Sequence, residues 1–294
     1  MDIKTEIKIK TEEIERVISE YLPPEEGYQK NLAEAMNYSV RAGGKRLRPM
    51  LMLEVFRLFG GEGRVIEPFM AAMEFIHTAS LVHDDLPAMD NDEYRRGKLT
   101  THAAYGEAMG VLAGDALLNY AYEVASRAFD LDPSPNVGRA MRILAEKAGL
   151  YGMMGGQNVD LESEGKRVGI DVIEFIHRKK CGALIEGAML IGAVLAGASE
   201  SQQRLIEGVG ADIGYAFQIR DDILDVIGDG QTLGKPTGSD EKNEKSTYVS
   251  LRGLKEAEED VARLSERALS ALRSLPSRSD FLEALIRMLI EREK

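Results

Sequence analysis

The sequence predicts an all-α protein, a single-domain bundle of long helices. Apolar residues recur at helical spacing in nearly every segment, and no alternating strand pattern persists. The composition agrees: Ala, Leu, Met and Glu are plentiful, aromatics are 6% and tryptophan is absent, which favours helix over strand. Pro and Gly pairs punctuate the helical runs, and no linker divides the chain.

Residues 11–22 set Ile14, Val17, Ile18 and Leu22 on one face, and Pro23-Pro24 ends the run. A second helix is expected from about 28 to 42, closed by Gly43-Gly44; Pro49 suits the first turn of a third, which ends near Gly60-Gly61. Lys45, Arg46 and Arg48 then fall in a tight interhelical turn where donors can converge. A fourth helix runs from about Glu67 to the aspartates of HDDLPAMD (83–90), where Pro87 forces a break. A fifth covers roughly 103–129 and closes in DLDPSPN. Segments 137–164, 171–198 and 200–228 also read as long helices, the last opened by Ser199 and Gln202 at capping-box spacing. The stretch 228–247 reads as a long loop of the kind that forms lids or binding segments. Short helices at about 255–274 and 280–292 complete the chain.

With 294 residues and 44% hydrophobic content, a buried core is ample. A net charge of -12 argues against nucleic acid or an anionic membrane surface as the main partner. The single cysteine, Cys181, excludes an intrachain disulfide and fits a reducing compartment. The first fifteen residues lack an uninterrupted apolar core, so no secretory signal is read there and a cytoplasmic location is expected. The most membrane-like segment, 182–199, is interrupted by Glu186 and dominated by small residues; it reads as a helix buried in the core or at a subunit interface, not as a transmembrane segment.

Two acidic clusters stand out. Asp84, Asp85 and Asp90 follow an apolar run; Asp221, Asp222 and Asp225 lie in QIRDDILD. Short clusters of hard oxygen ligands beside basic residues suit Mg²⁺, which keeps waters and takes a few carboxylates plus substrate phosphates. Asp221 and Asp225 share one helical face, and carboxylates set near Ile219, Ile223, Leu224 and Ile227 would be costly without cations. A lone cluster of this kind is usually a solvated acidic face; the second cluster changes that weighting. Asp84 and Asp90 are six apart across Pro87, so Asp90 must swing back through a local bulge to join Asp84. Candidate cations for phosphates are Lys45 with Arg48, Arg95 with Arg96, Lys179 with Lys180, and Lys235 with Lys245. Gln157 and Gln218 sit on apolar helices, where an amide is usually a satisfied core group.

A rival signal is EFIH, at Glu74–His77 and again at Glu174–His177. Glu-x-x-His on two helices is a di-iron signature, but it needs further bridging glutamates and leaves both aspartate clusters idle. Glu174 also follows Asp171 at capping-box spacing, which explains it without metal.

From about residue 30 to 250 the chain resembles the trans-isoprenyl diphosphate synthases, the polyprenyl synthetase family. GGKRLRP (43–49), HDDLPAMD (83–90), RRG (95–97), GGQNVDL (155–161), FQIRDDILD (217–225) and GKPTGSDEKNEKSTY (234–248) fall in the family's order. The resemblance implies an all-α bundle around a central cavity, a homodimer, and head-to-tail transfer between isopentenyl diphosphate and dimethylallyl, geranyl or farnesyl diphosphate. It implies that Asp84, Asp85, Asp90, Asp221, Asp222 and Asp225 hold several Mg²⁺ ions against the allylic diphosphate. Arg95, Lys180, Lys235 and Lys245 would bind the same group, and Lys45, Arg48, His77 and Arg96 would seat isopentenyl diphosphate. Gln218 and a backbone carbonyl near Lys180 would stabilise the allylic cation. Where the family usually has Lys-Thr-Gly this chain has Lys180-Cys181-Gly182, and a thiol is the weaker donor.

Product length is expected to depend on Ser80 and Ala79, four and five residues before Asp84. In the family an aromatic side chain there floors the tunnel at fifteen carbons; both are small here, so a twenty-carbon product, geranylgeranyl diphosphate, is favoured over farnesyl diphosphate. Met73, Phe75 and Tyr105 are other candidate floors. A non-catalytic regulatory subunit would be favoured by loss of an aspartate cluster, and both are intact. A terpene cyclase would not need Lys45, Arg48 and Arg96.

Overall fold

A computed structural model describes residues 2–227 and 246–290 of the chain. The chain divides into two compact units, Met1–Leu53 with Glu62–Met141, and Glu54–Gly61 with Arg142–Lys294. The described elements are helical throughout, apart from one hairpin of two-residue strands.

The first unit holds α1 (Ile3–Glu20), α2 (Lys30–Val40), the start of α3 (Leu47–Leu58), α4 (Glu67–Asp84), β1 (Tyr94–Arg95), β2 (Lys98–Leu99), α5 (Thr101–Tyr105), α6 (Glu107–Ser126), α7 (Ala128–Leu131) and the start of α8 (Pro135–Ala148). Helix α4 is its centre and packs on α6, α1 and α2. Pro68 starts it, and Phe69, Met73, Phe75 and Ile76 are fully buried. A helix apolar on all sides must be enclosed, and burying Phe69 and Phe75 contributes about 1.5–3 kcal/mol each. Phe75 stacks on Tyr120 of α6, with ring centroids 5.8 Å apart.

The second unit holds the ends of α3 and α8, α9 (Met153–Ser163), α10 (Ile170–Ile176), a π-helical turn (His177–Gly182), α11 (Ala183–Leu195), α12 (Glu200–Ile227), α13 (Tyr248–Arg252), α14 (Leu254–Arg273) and α15 (Asp280–Ile290). Helix α12 packs between α11 and α14. Every residue of α11 except Glu186 is buried, as expected for a core helix. Its length of about 20 Å is short of a bilayer core of about 30 Å. Among the described residues no helix is long and apolar enough to cross a membrane. Glu186 is tolerated because Lys147 of α8 pairs with it, while also lying 3.3 Å from Glu207.

Several expected boundaries shift for local reasons. Helix α1 starts at Ile3, eight residues before the expected position of 11, because the charged Lys/Glu/Ile run extends it without a broad apolar stripe. The expected 103–129 helix breaks at Gly106, whose φ is 92°, and again at Arg127. The 137–164 run is cut between Ala148 and Met153 by Gly149 and Gly152. The 171–198 run holds the π-helical turn at its middle. Two glycines make room for that turn: a Cβ on Gly156 would collide with the Lys180 backbone nitrogen, and one on Gly214 would lie 2.7 Å from Gly182 Cα. The capping reading of Asp171 and Glu174 fails, because Gly169 is the N-cap and Asp171 already lies inside the helix. The Ser199 reading holds, with Ser199 N–H donating to Gln202 Oε1 at 2.8 Å. Helix α13 was not foreseen; Thr247 and Ser250 form a capping box at its start. The expected loop at 228–247 and the last residues of the final helix lie largely outside the described residues.

Candidate active site

In the first unit, α4 ends at Asp84 and the chain turns at once. Leu86 N–H donates to His83 O at 3.2 Å, Met89 N–H to Leu86 O at 2.9 Å, and Asp90 N–H to Asp84 O at 2.9 Å. The last of these bonds returns Asp90 to the end of α4, which is the bulge the spacing across Pro87 required. Asp85 is buried, and its Oδ1 accepts from Arg95 Nε at 2.6 Å and lies 2.6 Å from Arg95 Nη2. Burial raises the Asp85 pKa above the usual carboxylate range even though Arg95 pulls it down. In this structure Asp85, expected as a metal ligand, is therefore engaged with Arg95, expected at the diphosphate.

The β1–β2 hairpin follows. Arg96 (φ 53°) and Gly97 (φ 76°) are its two-residue turn, a conformation with positive φ at both centres that matches strand twist. Arg96 Nη1 donates to Gly43 O, and the Tyr38 hydroxyl donates to Leu99 O at 2.7 Å, so the hairpin is tied to α2 and the Gly43–Gly44 turn. A Cβ on Gly44, whose φ is 150°, would sit 2.9 Å from Arg96 Nη1. Burial lowers the Arg96 pKa, helped by Arg46.

Arg46, read from sequence as one more basic residue of the turn, is instead buried. Its Nη1 donates to Glu74 Oε2 at 2.8 Å, its Nε to Glu15 Oε1 at 2.8 Å and its Nη2 to Val40 O at 2.7 Å. Glu74 of the first EFIH thus serves a guanidinium, and removing Arg46 would leave it uncompensated at a cost of about 3–5 kcal/mol. One turn along α4, His77 has a pKa well below the ordinary value; burial is the main cause, followed by Arg48, Arg96, Arg46 and Arg95. Of these arginines, Arg46 is paired with Glu15 and Glu74 and Arg95 with Asp85. Lys45 lies in the adjoining turn.

Ala79 is buried, and the part-buried Ser80 returns its Oγ to His77 O at 2.8 Å. Met73 and Phe75 are core residues, whereas Tyr105 is 38% exposed and lies edge-on to Tyr38, a surface position unsuited to a tunnel floor.

In the second unit, Asp221, Asp222 and Asp225 occupy the last two turns of α12. Gln218 Nε2 donates to Asp221 Oδ2 at 3.2 Å. Asp222 Oδ2 accepts the Tyr248 backbone N–H at 2.7 Å, and His177 Nε2 lies 3.5 Å from the same oxygen. Burial pushes the His177 imidazole down to about 4. Lys180, in the π-helical turn, donates to Asp160 Oδ2 at 2.6 Å. Asp160 belongs to GGQNVDL, and a carboxylate in that motif was the available signal for this pairing. Cys181 is half-buried in the same turn. Lys235 and Lys245 lie outside the described residues. A cavity of about 350 Å³, lined in part by Glu174, Arg178, Tyr215, Tyr248 and Asp260, was not read from sequence; Arg178 lies 4.1 Å above the Tyr215 ring.

Among the described residues no three carboxylate or imidazole groups form a ready-made metal cage. The donors are nonetheless of the right chemistry for Mg²⁺. Asp221 and Asp225 are one turn apart, Asp90 is folded back to Asp84, Arg95 stands beside the first set, and the π-helical turn that bears Lys180 packs on α12.

Comparison with known proteins gives a consistent picture. The polyprenyl synthetase family model matches residues 29–282. The chain is 45% identical over 262 residues to a farnesyl diphosphate synthase of Geobacillus stearothermophilus, covering 89% of this chain and 88% of that protein. It is also 45% identical over 236 residues to a geranylgeranyl diphosphate synthase of Cyanophora paradoxa, covering 80% and 79%. Among solved structures, an FPP/GFPP synthase of Zymomonas mobilis superposes with a TM-score of 0.86 at 34% identity, covering 98% of each chain.

Proposed function

The chain belongs to the polyprenyl synthetase family, and from that premise we propose how its residues divide the work of prenyl transfer. The protein is a short-chain prenyl diphosphate synthase, a prenyltransferase that extends allylic diphosphates with isopentenyl diphosphate. The observation that carries the residue assignment is the placing of Arg96 against Gly43 O, at the turn that bears Lys45, with Arg95 and Asp85 lining the same pocket.

Arg48, Arg96, His77 and Lys45 seat isopentenyl diphosphate, the guanidiniums by paired hydrogen bonds and Lys45 as a mobile charge. Asp84, Asp90, Asp221, Asp222 and Asp225 hold Mg²⁺, which when bound supplies positive charge to the departing pyrophosphate. Asp85 orients Arg95 through Oδ1, and its Oδ2 would serve the metal with Asp84. Lys180, once freed from Asp160, binds the allylic diphosphate, as Lys235 and Lys245 do in this reading. The allylic C–O bond breaks heterolytically, and the isopentenyl double bond supplies the electron pair of the new C–C bond. A proton then leaves, with pyrophosphate as the base. Gln218 and a backbone carbonyl of the π-helical turn face the developing cation, and an apolar tunnel keeps water from quenching it. Small side chains at Ala79 and Ser80 favour geranylgeranyl over farnesyl diphosphate as product. As the family resemblance implies, the reading takes the enzyme as a homodimer in the cytoplasm with one catalytic domain per chain.

Mixing the protein with isopentenyl and dimethylallyl diphosphates and Mg²⁺ should release one pyrophosphate per isopentenyl unit consumed. Chelation of Mg²⁺ should slow release by about 10³-fold or more, and added Mg²⁺ should restore it. Release that survives chelation would contradict the metal assignment. Gly44→Ala probes the other site: the new methyl displaces the Arg96 guanidinium, so KM for isopentenyl diphosphate should rise about 10-fold while KM for the allylic substrate changes less than about 2-fold. Steady-state kinetics with each substrate varied in turn would reveal an equal rise in both, the result that would remove Arg96 from this role.

A further inference from the structure

The second EFIH ends in His177, which neither the metal set nor the substrate set uses. We propose that His177 is a positioning residue for Asp222, holding that carboxylate in the rotamer in which it serves Mg²⁺ and diphosphate; this rests on the reading of Asp222 as a metal ligand.

The geometry has three parts. His177 opens the π-helical turn between α10 and α11, and the extra residue of such a turn re-aims side chains relative to an α-helix. Its Nε2 faces Asp222 Oδ2 at 3.5 Å, and the same oxygen accepts the Tyr248 backbone N–H at 2.7 Å. The imidazole is fixed from its sides by two phenol rings. Tyr248 stacks on it at 6.4 Å with an interplanar angle of 28°, and Tyr215 lies at 6.1 Å. Tyr248 is itself anchored, its hydroxyl donating to Asp260 Oδ2 at 2.6 Å and its N-cap Thr247 closed by a capping box.

The tautomer follows from the surroundings. His177 Nδ1 is buried and has no hydrogen-bond partner among the described residues. A buried N–H without an acceptor is costly, so a ring proton is better placed on Nε2, which faces a carboxylate, than on Nδ1. One oxygen of Asp222 thus accepts the Tyr248 main-chain N–H and faces the His177 ring nitrogen at 3.5 Å. Donors of this kind behind a metal-binding carboxylate set its orientation, and their loss typically weakens metal affinity about 10–100-fold.

The test is a titration of Mn²⁺ into protein carrying one equivalent of an alkyl bisphosphonate, whose P–C–P bridge is not hydrolysed, with free Mn²⁺ read by electron paramagnetic resonance and corrected for a bisphosphonate-only titration. His177→Phe keeps a stacked ring and removes the donor; it should raise the Mn²⁺ Kd at least about 10-fold. His177→Gln places an amide N–H near the old Nε2 position and should return the Kd to within about 3-fold of wild type. His177→Asn is too short to reach and should behave as the Phe variant does. A purely structural role would treat Gln and Asn alike. Wild-type affinity in a folded Phe variant overturns the proposal. If that variant does not fold, equal affinities for Gln and Asn overturn it instead. Asp222→Ala separates the two layers: if its Mn²⁺ affinity is unchanged, the metal reading of Asp222 itself fails. Should Asp222→Ala lose affinity while His177→Phe does not, only the positioning role fails.

Discussion

Asp221→Ala and, separately, Asp84→Ala are each expected to cut the rate of prenyl transfer by about 10³-fold or more, with the helical circular-dichroism spectrum largely unchanged. The rate estimate comes from the chemistry. Ionising an allylic diphosphate develops charge on the departing pyrophosphate, and each pre-organised partner removed from such a charge costs about 10²–10³ in rate. Loss of a metal ligand adds a weakened metal on top of that. The unchanged spectrum follows from position. Asp84 and Asp221 are part-exposed and on helices whose stability comes from the buried faces of α4 and α12. Asp221 gives up the hydrogen bond from Gln218 at 3.2 Å, which is worth about 1 kcal/mol. Stopped assays on the purified variants beside spectra of the same samples decide it. Near-normal turnover in either variant would mean that cluster is an acidic surface and nothing more.

Ser80→Phe is expected to shift the product from mainly twenty carbons to mainly fifteen, a change of about 100-fold in the product ratio. The position was chosen over Ala79 on packing grounds. Ala79 is 3% exposed, so a phenyl ring there would overpack the core at a cost of about 1–3 kcal/mol and confuse specificity with instability. Ser80 is only part-buried, and its hydroxyl merely returns to His77 O, so the larger side chain has somewhere to go. Chromatography of products beside a melting curve tests the prediction. An unchanged product spectrum from a folded variant would place the floor elsewhere, with Met73 and Phe75 the remaining candidates of the original three.

The helical character of the chain was legible because it rests on composition and periodicity, and the long runs of α4 and α12 carry both. The aspartate clusters were legible because short spacings put their members on one or two turns whatever the rest of the chain does. Even the return of Asp90 to Asp84 could be anticipated, since Pro87 forbids a continuous helix. What was not legible depends on distant partners. Arg46 sits in a basic run and reads as solvated, but Glu15 and Glu74, 31 and 28 residues away, bury it. The pairing of Lys180 with Asp160 spans 20 residues and two helices. The π-helical turn leaves no trace in periodicity; only the close approaches at Gly156 and Gly214 explain it. The hairpin strands are too short to alternate, and Arg96-Gly97 was the sole hint of the turn between them.

The most direct measurement is the length of the product formed from dimethylallyl diphosphate, excess isopentenyl diphosphate and Mg²⁺, read by chromatography of the dephosphorylated alcohols. A twenty-carbon alcohol as the main product is the result predicted from the small side chains at Ala79 and Ser80. A main product of fifteen carbons would contradict the open tunnel, and no elongation at all would contradict the assignment of both substrate sites.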